Sequence, residues 1–199
     1  MATVQKKLDV THEIKLDHDN VRDLWSRYQQ ATTRDNKAVL ANTLIREMAV
    51  HGDAEEVSIY NDYARLGLPG TAEHNKEEHA EIKKLVYAAD SASTKSEEYD
   101  EVLGRAVNAF LEHAGEEEGD QFGKIKEALD AEENHSLAVQ FLQARKMVPT
   151  RPHPMAPQTG GVAQKTVGAW GAFHDKVVEN LGGRSFADLK YEHPDVSLL

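Results

Sequence analysis

The sequence predicts an all-α protein, an up-and-down antiparallel four-helix bundle with additional C-terminal helices. Two observations support this fold class. Along four long segments, apolar residues recur at steps of three and four, which is the spacing of one face of an α-helix. Short polar or Gly/Pro-containing breaks separate the segments, and short links make consecutive helices antiparallel neighbours. A chain of 199 residues can bury one sizeable core, so we expect one domain with an appended tail.

The four bundle helices are placed by their apolar stripes and by the breaks between them. The first stripe, for example, runs through Ile14, Val21 and Tyr28. The expected helices are about Glu13–Gln30, Ala38–Arg65, Ala72–Ala89 and Glu97–Gln121. The second helix should end at residues 66–70, Leu-Gly-Leu-Pro-Gly, because Gly and Pro so close together stop a helix.

The chain continues beyond a minimal bundle. A further amphipathic helix ends near Met147, which gives a bundle domain of residues 1–147. The next ten residues, 148–157, contain four prolines and are predicted to form an extended strap. A last amphipathic helix runs from about Val167 to Leu181, and we expect residues 148–199 to pack on the bundle.

Charge and composition exclude several function classes. The chain has 23 basic and 34 acidic residues and a net charge of −11, which argues against nucleic-acid and anionic-membrane binding. It contains no cysteine, so thiolate metal sites and cysteine nucleophiles are excluded. The N-terminus has no apolar run of signal-peptide length, and no segment approaches the roughly 20 apolar residues of a membrane span. We therefore expect a soluble cytoplasmic protein, monomeric or homodimeric.

A repeated motif marks the centre of the predicted bundle. His51-x-x-x-Glu55 recurs as His113-x-x-x-Glu117, and a spacing of four puts both groups on one face of a helix. In both copies that face is the apolar stripe that should meet the core. Burying an imidazole and a carboxylate without partners costs several kcal/mol. The motif therefore predicts either a buried hydrogen-bonded network or a bound cation.

Two further histidines, His18 and His79, take core-facing places on the first and third helices. In an antiparallel bundle, two residues at one height are equally far from the turn between their helices. The pairs His18 with His51, Glu55 with His79, and His79 with His113 all have their midpoints inside a predicted break. Six side chains should therefore converge at one level: His18, His51, Glu55, His79, His113 and Glu117.

Such a set suits two neighbouring hard or borderline cations, because imidazoles supply terminal ligands and carboxylates can bridge two ions. A mononuclear zinc site would need only about four ligands. Iron is the best match for a nitrogen-rich dinuclear site without thiolate, with manganese or zinc possible.

The same residues resemble the hemerythrin-like HHE cation-binding domain. The resemblance covers about residues 10–145 and rests on four motifs: Asp17-His18, His51-x-x-x-Glu55-Glu56, Glu78-His79-x-x-Ile82 and His113-x-x-x-Glu117-Glu118. It implies a four-helix bundle with an oxygen-bridged di-iron centre, in which Glu55 and Glu117 bridge and the histidines cap. It also implies a vacant iron position for dioxygen, peroxide or nitric oxide. The proline-rich strap resembles tails of fungal members of this family.

The third helix departs from the hemerythrin pattern. Hemerythrins proper carry two histidines four residues apart there, whereas Asn75 stands four before His79. His74, five before His79, is included as a candidate seventh ligand that reaches the site only if the first turn is irregular. On the fourth helix, Glu118 is an alternative to Glu117.

The remaining aromatic and histidine side chains have simpler interpretations. We predict core packing for Trp25, Tyr28, Tyr60 and Tyr63, with a hydrogen bond or a radical role near the metals as the alternative. We predict surface positions or local hydrogen bonds for His12, His135 and His193, and a packing role for His174.

Three functions remain open. The first is a non-haem di-iron protein that binds, reacts with or senses dioxygen, peroxide or nitric oxide, including an oxidase for a small organic substrate. The second is a metal-binding or iron-buffering module without turnover, and the third is a helical interaction domain with buried hydrogen-bonded networks. The sequence identifies no catalytic residue, so whether the chain is an enzyme stays open.

Overall fold

The computed structural model describes residues 7–154, 175 and 183–196, and within these ranges it contains helices and no strand. Six α-helices form the body: α1 Val10–Gln30, α2 Arg34–Val57, α3 Thr71–Ser91, α4 Tyr99–Glu116, α5 Phe122–Ala128 and α6 Ala131–Met147. Helix α1 packs on α2 and α4, and α3 packs on α2 and α4, which closes a four-helix bundle. Helix α6 lies against α1 and α2. The predicted all-α bundle is confirmed.

Local hydrogen bonds explain where several helices begin. Asp9 caps α1 by accepting from the backbone N–H groups of Thr11 and His12, and Thr33 caps α2 through Asn36. A capping box between Asp130 and Glu133 starts α6. Each cap satisfies backbone donors that the first turn of a helix leaves without partners.

The second helix is shorter than predicted, because α2 ends at Val57 and not at Arg65. Ser58 leaves helical geometry, and its buried hydroxyl donates to the carbonyl of Ala54 at 2.5 Å. A 3₁₀ turn over Ile59–Asp62 follows. Ile59 and Tyr60 of this turn are both buried in the core.

Helical structure continues past Gln121, the predicted end of the fourth helix, and the turn just before that residue is wider than an α-helical turn. Helix α4 is followed by a π-helical turn over Glu117–Gln121, which leads directly into α5. A π turn inserts one extra residue per turn and often marks a functional position. Here Glu117 and Gln121 are both buried within it.

The core consists of two apolar clusters with a polar layer between them. Along α1, Ile14 belongs to the first cluster and Val21 to the second, and His18 lies between them. Along α2, Met48 and Ala54 are divided in the same way around His51. Buried polar side chains therefore occupy the middle of the bundle and not its ends.

Residues 183–196 have no regular secondary structure, and they contact α1 through Asn20 and α2 through Thr43. Of the last predicted helix, Val167–Leu181, the structure describes only Asp175, which is helical and buried, and His174 lies outside the described residues. No helix in the ranges that the structure describes is long and apolar enough to cross a lipid bilayer.

Candidate metal centre

Six of the seven predicted metal-site residues come together inside the bundle, and all six are buried. His18, His51, Glu55 and Glu117 offer donor atoms that lie within 4.8 Å of one another, and Glu55, His79 and His113 form a second such group. Glu55 belongs to both groups. The structure thus presents two adjoining sets of nitrogen and oxygen donors that share a carboxylate.

The inward atoms of the four imidazoles are their Nε2 atoms. The Nε2 atoms of His18 and His51 are 3.3 Å apart, and those of His79 and His113 are 2.9 Å apart. Each helical motif also folds as predicted, with Nε2 to carboxylate distances of 3.5 Å for His51 and Glu55 and 3.4 Å for His113 and Glu117. Two N–H groups cannot face each other at such distances, so at least one nitrogen of each pair offers a lone pair to the centre.

The outward atom of each imidazole, Nδ1, faces a carboxylate from another helix. The distances from Nδ1 to the carboxylate oxygen are 2.9 Å for His18 and Glu118, 3.2 Å for His51 and Asp17, 3.3 Å for His79 and Glu56, and 2.8 Å for His113 and Glu78. We call Asp17, Glu56, Glu78 and Glu118 the outer carboxylates.

The outer carboxylates connect the four helices in a closed cycle. Helix α1 supplies one to α2, α2 to α3, α3 to α4, and the π turn after α4 supplies one back to α1. A carboxylate on the far nitrogen fixes the tautomer and orientation of a histidine ligand and raises its basicity. Sequence reasoning assigned these residues no such role, although each stands directly beside a predicted ligand. Glu118, the alternative to Glu117, is bound to His18 from outside.

Tyr60 reaches the site through its hydroxyl, which matches the alternative interpretation of a hydrogen bond near the metals and not core packing alone. Its hydroxyl oxygen lies 2.9 Å from Glu55 Oε2, 3.1 Å from Glu117 Oε1 and 3.1 Å from His79 Nε2. The hydroxyl therefore contacts members of both donor groups. Tyr60 lies in the 3₁₀ turn after α2. The sequence predicted a straight helix to Arg65, and on such a helix Tyr60 would not share a face with Glu55.

His74 lies outside the buried cluster, contrary to its inclusion among the candidate ligands. Its side chain is 59% exposed, and its Nε2 is 3.5 Å from Glu78 and 3.7 Å from Glu116. Helix α3 is regular from Thr71, and on a regular helix a residue five positions before His79 points about 140° away from it. Asn75 takes the inward place, and its amide donates to Glu117 Oε1 at 3.1 Å.

Burial makes charge in the centre costly. Burial and the neighbouring charge of Glu117 raise the pKa of Glu55 well above its usual range. Burial opposes ionisation of His113 too, but the charge of Glu117 prevails and raises the pKa of His113 to about 10. His51 has its pKa lowered to about 4, chiefly by burial. Glu55 Oε1 and Glu117 Oε2 are buried without a hydrogen-bond partner. Two carboxylate oxygens left unsatisfied in the interior fit a cation between them.

A narrow pocket adjoins the centre on the side of His51 and His79. It is mainly apolar, and its other lining residues are Met48, Ala49, Gly52, Ile82, Lys83, Val86, Phe110 and Pro152. Lys83 is the charged member of this wall, and its Nζ donates to Asp53 at 2.8 Å and to the outer carboxylate Glu56 at 3.4 Å.

A helical bundle with this buried His and Glu cluster defines a class of metal-binding helical domains. Comparison with known proteins identifies the family: the model of the hemerythrin HHE cation-binding domain matches residues 9–125. The chain belongs to this family, as the resemblance of its motifs predicted.

Individual relatives are distant. An uncharacterised hemerythrin-like protein of Schizosaccharomyces pombe is 26% identical over 155 residues, which cover 76% of each chain. A DNA nickase of Nostoc sp. is 20% identical over 147 residues, which cover 74% of this chain and 42% of that protein. No solved structure shows significant similarity to the chain.

Proposed function

We propose that the chain is a non-haem di-iron protein whose buried centre binds, reacts with or senses dioxygen, peroxide or nitric oxide. One observation supports this above all: two donor groups share Glu55, and one buried oxygen each of Glu55 and Glu117 lacks a hydrogen-bond partner. A single ion would use only part of this set. Nitrogen and oxygen donors without thiolate favour iron, with manganese or zinc as weaker candidates.

Each donor group would hold one ion. His18 and His51 would bind the first, and His79 and His113 the second. Glu55 and Glu117 would contact both ions, because Glu55 belongs to both groups and oxygens of Glu117 lie 3.4 Å from Nε2 of His18 and of His113. We assign the seventh donor to Tyr60 in place of His74, because a phenolate oxygen is a hard ligand and this hydroxyl already contacts both bridging carboxylates.

Bound iron would supply the capacity to exchange electrons with the small ligand. The chain's own residues supply the surroundings. The outer carboxylates hold the imidazoles in one orientation. The mainly apolar pocket beside His51 and His79 would offer a small, weakly polar molecule a place next to the ions, while the packed core would exclude bulk water. A pocket this narrow favours dioxygen, peroxide or nitric oxide over a large organic substrate.

The test is to load the purified protein with iron, reduce it without oxygen, and mix it separately with dioxygen, peroxide and nitric oxide. The proposal expects consumption of at least one of them together with a change in the visible absorption spectrum. Tight iron binding without consumption or spectral change would point to the buffering module. Absence of iron binding would contradict the proposal and favour the interaction domain.

The DNA-nicking activity named for the Nostoc relative is not expected of this chain. A net charge of −11 opposes binding to a polyanion, so we expect no nucleic-acid partner. Incubation of the iron-loaded protein with supercoiled plasmid should leave the plasmid intact, and nicking would overturn that expectation. Cytoplasmic location and a monomeric or homodimeric state stay predictions.

A further inference from the structure

The segment of residues 183–196, which we call the C-terminal segment, is tied to the bundle at defined points. Asn20, fully buried on α1, donates to the carbonyl of Tyr191 at 2.9 Å and accepts from its N–H at 3.0 Å. On α2, Thr43 accepts from the N–H of Ala187 at 2.8 Å. Paired hydrogen bonds to buried groups give the segment a fixed register on the bundle.

The same segment inserts a histidine between two acidic side chains of α1. His193 is 15% exposed, its Nδ1 lies 2.8 Å from Glu13 Oε2, and its Nε2 lies 2.7 Å from Asp17 Oδ1. Both neighbours are carboxylates, so each ring nitrogen acts as a donor and the ring carries a positive charge. Burial opposes that charge, but the hydrogen bonds to Asp17 and Glu13 raise the pKa of His193 to about 9.

Asp17 is the outer carboxylate of His51, and both of its oxygens are engaged. Oδ1 accepts from His193. Oδ2 faces His51 Nδ1 at 3.2 Å and accepts from Arg145 of α6, whose other terminal nitrogen donates to Glu47 at 2.9 Å. Because Asp17 is fully buried, no water competes for these positions, and the donors alone determine how the carboxylate is oriented.

We propose that His193 is a positioning residue of the metal centre: through Asp17, the C-terminal segment fixes the orientation and donor strength of His51. This inference rests on the proposed metal-binding function. A carboxylate that is held on one oxygen cannot rotate away from the imidazole on the other. The positive charges of His193 and Arg145 also draw electron density from Asp17, which limits how strongly it polarises His51.

The contact extends the site beyond the bundle shared with the family. The family match covers residues 9–125, whereas Arg145 and His193 both lie after it. The chain therefore adds two cations, one from α6 and one from the C-terminal segment, to the surroundings of one candidate ligand.

The test compares variants of the full chain for iron(II) affinity and for the absorption spectrum of the oxidised, iron-loaded protein. H193F removes both donors, and H193Q keeps one uncharged donor. K190Q is the matched control, because Lys190 lies in the same segment, is exposed and pairs with Asp23 at 3.5 Å. D17N, which alters the outer carboxylate itself, serves as the reference for a full effect.

Loss of a partner that orients a metal ligand typically weakens binding about 10–100-fold. We expect that range for D17N, about tenfold for H193F, a smaller loss for H193Q and none for K190Q. The spectrum should shift in the same order. The inference is overturned if H193F stays within about twofold of wild type with an unchanged spectrum, or if K190Q loses as much as H193F.

Two outcomes separate this inference from the proposed function. If the wild-type protein binds no iron, the proposed function fails and this inference fails with it. If wild type and D17N differ as expected but H193F matches wild type, only this inference fails. Should H193F not fold, H193Q decides: a measurable loss with a shifted spectrum supports the role of His193, and wild-type behaviour contradicts it.

Discussion

Replacing Glu55 with glutamine should stabilise the metal-free protein and weaken the stabilisation that metal binding brings. Glu55 is fully buried, its Oε1 has no hydrogen-bond partner, and its Oε2 accepts from the Tyr60 hydroxyl at 2.9 Å. Burial and the nearby charge of Glu117 raise its pKa well above the usual range, so ionised Glu55 is costly at neutral pH. Glutamine removes that cost and also removes a charge that two cations would need.

The two effects can be estimated separately. Holding a carboxyl group un-ionised costs about 1.4 kcal/mol for each pH unit above its ordinary pKa, so the metal-free variant, which cannot ionise, should gain about 1–2 kcal/mol in free energy of unfolding. A ligand at a thousand times its Kd stabilises the folded state by about 4 kcal/mol. For a chain of this size each kcal/mol shifts the Tm by about 2–4 °C, so wild type should gain about 8–16 °C with metal. The variant should gain less than half of that.

The assay is thermal unfolding followed by circular dichroism, with and without iron(II) under anaerobic conditions. E112Q is the control, because Glu112 is exposed on α4 directly before His113, and it should behave as wild type in both states. The reasoning is refuted if E55Q shows the same metal-induced rise in Tm as wild type. It is also refuted if the metal-free variant is less stable than metal-free wild type.

Three further predictions concern residues around the centre. K83M should lower the free energy of unfolding by about 3 kcal/mol, because it removes the cation that pairs with the buried carboxylates of Asp53 and Glu56. Urea titration of K83M and of the exposed control K84M checks this prediction, and equal stability of the two variants would contradict it. Y60F should abolish any visible absorption that arises from a phenolate bound to ferric iron, and an unchanged spectrum would remove Tyr60 from the ligand set. The pKa of His193 is raised from 6.5 to about 9, so its stabilisation is complete below pH 6.5 and is lost as the pH rises through 9. That loss amounts to at most about 3 kcal/mol, and unfolding measured from pH 6 to 10 should show it in wild type but not in H193Q.

The fold was predictable because its signals are local and repeated. Amphipathic spacing places the helices, and the Gly/Pro break after residue 65 separates the second from the third. The level at which the six polar residues meet follows from the equal distances of paired residues from each turn. His74 is excluded by its helix face, because a residue five positions from His79 on a regular helix does not return to the same face.

Other parts of the site carry no local signal. Tyr60 reaches the centre because Ser58 ends α2 and a 3₁₀ turn follows, and a spacing of five from Glu55 would have placed it on another face of a straight helix. The outer carboxylates contact histidines of other helices, and no sequence pattern distinguishes them among the 34 acidic residues of the chain. His193 lies in a segment without periodicity, so only the packed chain shows that it reaches Asp17.

The number of ions that the centre holds tests the account most directly. Metal-free protein should be titrated anaerobically with iron(II), and bound iron should be measured after removal of the excess. We predict saturation at two ions per chain, and a double variant of His18 and His51 should retain no more than one. Saturation of wild type at a single ion, or no tight binding, would contradict a centre built from two donor groups that share Glu55.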